Sequence, residues 1–179
     1  MLWQPIIEFW FIELKPEQWW IKDASLDMEI KTRFEPYLIA ARDKGMPDWH
    51  GQPRGRLAEI IVLDQFSRNI YRDTPDAFSS DSIAVQLALN AIDAKDDQSL
   101  TSVERSFMYM PLMHSEEPAM HEYAVELFTA LGNENNLNFE LQHKAIIDRF
   151  GRYPHRNKIL GRESTAEEIE FLKQPGSGF

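Results

Sequence analysis

Residues 143–164, HKAIIDRFGRYPHRNKILGRES, concentrate the groups in this chain that could do chemistry. Six of the 19 Lys and Arg residues fall there, with His143 and His155, against two acids, Asp148 and Glu163. The whole chain carries −10, so this is a basic island in an acidic protein. Such an island either supplies counter-charge to the fold or receives an anion, because guanidinium groups fork onto carboxylates and phosphates. Arg149, Arg152, His155, Arg156 and Asn157 are its candidate ligand contacts, since Gly151 and Pro154 fold the chain back there.

Three other positions break the apolar logic of their helices. At 100° per residue, Leu57, Ile60, Ile61, Asp64, Arg68 and Tyr71 share one arc. The Asp64–Arg68 pair therefore faces the core, at the four-residue spacing where side chains meet. His114 continues a stripe of Val103, Phe107 and Met110, and His143 a stripe of Phe139, Ile146 and Phe150. An unpaired buried charge is costly, so these groups need partners, and the simplest partners are one another and the basic stretch. One reading is an internal network that fixes helix register, because structural ion networks imitate active sites. The other is a polar pocket between helices. There Arg68 and the basic residues contact an anion, Asp64 and Asn69 orient them, and His114, His143, His155 or Asp64 supplies acid–base capacity.

Other chemistries are excluded by what is missing. Without Cys there is no disulfide framework, thiolate nucleophile or Cys-ligated metal, and a reducing compartment fits. Glu140-Leu-Gln-His143 has the Glu-x-x-His spacing of di-iron bundles, but those need it twice, and no His-Glu-x-x-His occurs. No nucleophile elbow, phosphate loop or dinucleotide fingerprint is present, so neither a metal nor a cofactor is expected. The acidic balance argues against nucleic acid as a partner. The apolar first 20 residues lack a basic leader and are broken by Pro5, Glu8 and Glu13. They suit neither a signal peptide nor a membrane span, and the expected setting is cytoplasmic.

The elements that position these residues all read as helix. With 43% hydrophobic residues, 179 residues suffice for a real core, and no alternating strand pattern or hairpin signal is present. Helices are expected at Pro5–Ile12, from Ser25 or Asp27 to Lys44, and at Arg54–Arg72, Ser80–Lys95 and Phe139–Phe150. Gly45 and Gly151 stand at two of the stops. Thr101-Ser-Val-Glu104 reads as a capping box opening a helix that Pro111 should kink or end. Ser115-Glu-Glu-Pro118 restarts a helix that runs to Leu131 before Gly132. Asn133–Asn138 reads as a loop, Pro154–Leu160 as a short turn, and Ser164-Thr-Ala-Glu167 as the capping box of a last helix. The expectation is one all-α domain, residues 1–179, of eight or nine helices in antiparallel hairpins, with a frayed tail at 174–179.

LDQFSRNIYR (63–72), YMPLMHSEE (109–117) and FGRYPHRNKILGRESTAEEIEFL (150–172) together resemble an uncharacterised, mainly bacterial family, the domain of unknown function numbered 924. The opening EFWF and WWIKDASLDMEIKTRF are similar to its N-terminal pattern, so the likeness covers nearly the whole chain. It implies a helical array like that of tetratricopeptide repeats and no established activity. Ser67 departs from the family pattern Asp-Gln-Phe-Pro-Arg-Asn and should leave this helix less kinked. The functional expectation is a binding module for a small anionic ligand or an acidic peptide. The alternatives are a hydrolase or lyase acting on an anionic small molecule, and a structural or protein-interaction domain whose polar network is internal.

Overall fold

A computed structural model describes residues 1–178, and among them the fold is all-α, with eight helices and no strand. The expected frayed tail reaches residue 179, which lies outside the described residues. The chain divides into two compact units. The first comprises Met1–Arg72 and Asp76–Pro111, the second Asp73–Pro75 and the chain from Leu112 onward.

In the first unit α1 (Gln4–Glu8) runs on into a wider π turn, Phe9–Glu13. Helix α2 (Ala24–Lys44) opens on Asp23, whose carboxylate accepts the Ser25 and Leu26 N–H groups, and carries Pro36 inside it without ending. Gly45, at φ 68°, stops it in a conformation that other residues rarely adopt. Helix α3, residues 53–70, is the central one. It comprises Pro53–Ile61, a π turn Val62–Phe66 and Ser67–Ile70, and every residue from 57 to 67 is buried. That is what apolar residues on all sides of a helix require. Ser67 continues the helix, its hydroxyl donating to the Leu63 carbonyl at 2.6 Å. Helices α4 (Asp81–Asp93) and α5 (Ser102–His114) follow. The Thr101–Glu104 box forms, and Pro111 neither ends α5 nor stops it reaching His114. The core of this unit is aromatic. Phe34 stands 5.0 Å from Phe9 and 4.9 Å from Phe66, and Trp10 meets Phe107 edge-on at 5.6 Å.

In the second unit α6 (Pro118–Leu131) and α7 (Glu134–Phe150) pack on each other. They are linked only by Gly132 and Asn133, so they run antiparallel. Three expectations need correction here. Asn133–Asn138 is not a loop, because the Asn133 side chain accepts the Asn135 and Asn136 N–H groups and starts α7 at Glu134. Helix α6 starts at Pro118 rather than Ser115, whose hydroxyl accepts the Glu117 N–H in the preceding turn. The last box is Thr165–Glu168, one residue later than expected, and it opens α8 (Ala166–Leu172). Ser164 instead accepts from Asn157. The small core of this unit is Ile146, Ile147 and Tyr153, with Phe150 and Phe171 against it.

Gly55, in the first turn of α3, is a tight spot, since a Cβ there would lie 2.2 Å from the Trp49 carbonyl oxygen. Replacing Gly55 with Ala should cost about 1–3 kcal/mol, as overpacking of a closed contact does. A lowered melting temperature would show it, and an unchanged one would mean that the 45–52 loop yields freely.

Candidate functional site

In the first unit the π turn buries Asp64, which is 1% exposed. Its carboxylate lies 3.2 Å from Arg68 Nη1 and accepts from Gln65 Nε2 at 2.6 Å. Arg68 also donates to the Asp64 carbonyl and forks onto Asp81 at 2.9 and 3.0 Å. Asp81, the first residue of α4, thus serves as counter-charge. Asn69 and Arg72, one and four residues beyond Arg68, both turn to Asp27 on α2, at 2.8 Å and at 2.6 and 2.7 Å. These groups tie the C-terminal end of α3 to α2 and α4.

Sequence reasoning missed a second buried carboxylate on α3. Glu59, 1% exposed, accepts the Met46 N–H at 2.8 Å and lies 2.6 Å from Nε2 of His50, a partly exposed imidazole. It clamps the 45–52 loop to the helix. The signal was available, because Glu59 is flanked by Leu57, Ile60 and Ile61 on a helix that is apolar all round.

The second unit holds four of the five histidines, and they gather on Tyr153. His143 lies 5.7 Å, His155 5.5 Å and His121 6.3 Å from its ring, and His114 stands 6.3 Å from His143. His114 comes from the end of α5, His121 from α6, His143 from α7, and Tyr153 and His155 from the turn after it. Arg156 lies 4.7 Å over the Tyr153 ring and donates from Nη2 to the His114 carbonyl. His114 and His155 are half-buried, whereas His143 is buried.

The hydrogen bonds assign the protons. His143 Nδ1 is 2.7 Å from the Phe139 carbonyl, which can only accept, so Nδ1 carries a hydrogen. Burial above all, with His114 beside it, pushes the His143 pKa down to about 3. The ring is therefore neutral at neutral pH, with an acceptor nitrogen at Nε2. His121 is fully buried against Glu140, Nδ1 to Oε1 2.7 Å, and its Nε2 donates to the Ser115 carbonyl at 2.8 Å. A single proton then lies between Nδ1 and Oε1. Burial raises the Glu140 pKa, and its Oε2 has no hydrogen-bond partner among the described residues. Both features favour the neutral form of the acid.

Three further arginines of this stretch hold carboxylates. Arg152 forks onto the buried Glu168 at 2.7 and 2.9 Å. That contact, with the Thr165 N–H and the Asn157 amide, holds the Glu168 carboxyl down to about 2. Asn157 also accepts from Arg162, which forks onto Glu116 at 2.7 and 2.9 Å. Glu116 in turn accepts the Tyr153 N–H at 2.8 Å. Arg149 pairs with Glu167 and stacks over Phe150 and Phe171. Arg149, Arg152, Glu167 and Glu168 line a surface groove of about 390 Å³. Among the described residues no group of three or more His, Asp or Glu is placed to hold a metal. Among the described residues no helix is long and apolar enough to cross a membrane. Truncating Arg68 to Ala would leave Asp64 buried beside an empty site. Urea unfolding should then show a loss of about 3–5 kcal/mol, whereas a variant as stable as the parent would make the Asp64–Arg68–Asp81 group dispensable to the fold.

Comparison with known proteins agrees with this architecture. No curated protein matches the sequence. A solved structure, a protein of unknown function from Agrobacterium tumefaciens titled ATU0120, is similar at a TM-score of 0.91 and 36% identity, with 96% of each chain covered. A family model described as "Bacterial protein of unknown function (DUF924)" matches residues 6–176. With nearly its whole length matched, the chain belongs to this family.

Proposed function

We propose that the chain is a cytoplasmic binding module and that its ligand is a small anion seated in the second unit. The observation that carries this reading is the gathering of four imidazoles and the Arg156 guanidinium around Tyr153. Imidazole and guanidinium groups can donate to an anion, and an incoming negative charge favours the charged form of an imidazole that it meets. His114, His155 and Arg156 are the contacts. Arg149, Arg152 and Arg162 are less suited, since each already holds a carboxylate. An array of helix pairs like the tetratricopeptide repeat would suit a binding role, and α6 with α7 supplies one such pair.

The acid–base enzyme is the weaker reading. A base serves best when its pKa lies near the working pH, and His143, at about 3, is far too weak. His121 and Glu140 are sealed from solvent, and Asp64 already accepts from Arg68 and Gln65.

A thermal-shift screen with inorganic phosphate, sulfate and citrate tests the proposal. A ligand at 100 times its Kd adds about 2.7 kcal/mol, roughly 5–10 °C in a domain of this size. The shift should disappear in His155→Ala and persist in Arg149→Ala. No shift with any anion, or a shift abolished by Arg149→Ala alone, would overturn it.

A further inference from the structure

Helix α8 is attached to the second unit mainly through charge. It has seven residues, and isolated helices shorter than about 12–15 residues are marginal in water. Its stability must therefore come from what it touches. Yet Glu168 is its one buried residue, and Ile169 and Leu172 are exposed. Helices α6 and α7, by contrast, bury Ala124 and Phe128, and Ile146 and Ile147. What holds α8 is polar. Arg152 forks onto Glu168 and also donates to the Glu163 carbonyl at 2.9 Å. Asn157 donates to Ser164 and Glu168, and Arg149 pairs with Glu167. The apolar part of the seam is Phe171 against Phe150, 4.9 Å between ring centroids.

The chain on either side of α8 completes the picture. Arg162, just before this segment, is held separately by Glu116 and Asn157. Beyond α8, Gly176 turns the chain at φ 78°, and Gly178 comes onto His155. A Cβ built on Gly178 would lie 3.4 Å from His155 Cβ, an ordinary packing distance. We propose that residues 163–178 form a hinged cover over His155, latched by the Arg152–Glu168 fork and pivoting after Arg162. The cover is read from the packing alone. Its purpose, to control entry to the group around Tyr153, rests on the anion-binding reading above. Opening it breaks one buried fork and a few surface bonds and uncovers little apolar area. That is the condition under which a segment releases while its neighbours stay folded.

Hydrogen exchange and histidine labelling of the full chain, with no ligand added, test this together. Glu168→Gln removes the charge of the latch and keeps its size. Exchange over 166–172 should rise at least about tenfold, the loss that a charge-assisted fork implies, while 118–150 keeps its protection. Carbethoxylation of His155 by diethylpyrocarbonate should speed up in the same variant, with His50 of the first unit as the reference. Glu167→Gln, whose pair with Arg149 is exposed at both ends, should change either readout by less than about twofold. Unchanged exchange over 166–172 overturns the latch, and a gain that spreads through 118–150 makes α8 part of the core rather than a cover. Faster exchange without faster labelling of His155 also overturns the proposal. Because no anion is present, these outcomes are independent of the thermal-shift screen. Should Glu168→Gln fail to fold, the wild type decides: exchange over 166–172 ahead of 118–150 supports the proposal, and equal protection overturns it.

Discussion

A charge on the buried face of a helix must bring its partner with it, and this constraint organises both units. Glu59, Asp64, Glu140 and Glu168 are each 2% exposed or less. Left alone, a carboxylate at that depth costs several kcal/mol. Three recruit a partner from another segment, His50 from a loop, His121 from α6 and Arg152 from the turn after α7, whereas Asp64 takes Arg68 from its own helix, which carries the tie on to Asp81 of α4. The apolar core holds the helices together, but these pairs fix which turn of one element meets which turn of the next.

The partners differ in how they meet the cost. Arg152 keeps Glu168 ionised through two hydrogen bonds, with two further donors behind it. Glu140 and His121 instead share one proton, and the pair stays neutral overall whichever atom carries it. His143 takes a third course and remains an uncharged ring, its one hydrogen spent on the Phe139 carbonyl. Within one unit the same demand is thus met by ion pairing, by proton sharing and by exclusion of the proton. Arg149, Arg152 and Arg162, by contrast, already hold carboxylates. For that reason the functional proposal rests on the imidazoles around Tyr153 rather than on the more numerous arginines.

Much of this was legible in the chain. The all-helical class, the central α3, the Thr101–Glu104 box and the stops at Gly45, Gly132 and Gly151 follow from local chemistry that acts within a turn of helix. The Asp64–Arg68 pair was legible for the same reason. Partner choice beyond four residues was not. Nothing local announces that Arg162 reaches Glu116, 46 residues away, or that Glu140 takes His121 rather than joining His143 in a metal motif. Asn133–Asn138 read as a loop because five of its six residues are polar, yet the first is a helix cap and the rest form the first turns of α7. Polarity reports exposure there, not conformation.

The central claim is that His143 is a buried neutral imidazole with its hydrogen on Nδ1. Nitrogen-15 NMR of the histidine side chains at pH 7 tests it most directly, because the two ring nitrogens report tautomer and charge separately. The account predicts a protonated Nδ1 and an unprotonated Nε2 for His143, unchanged down to pH 6. An imidazolium at His143, or a ring with its hydrogen on Nε2, would contradict it.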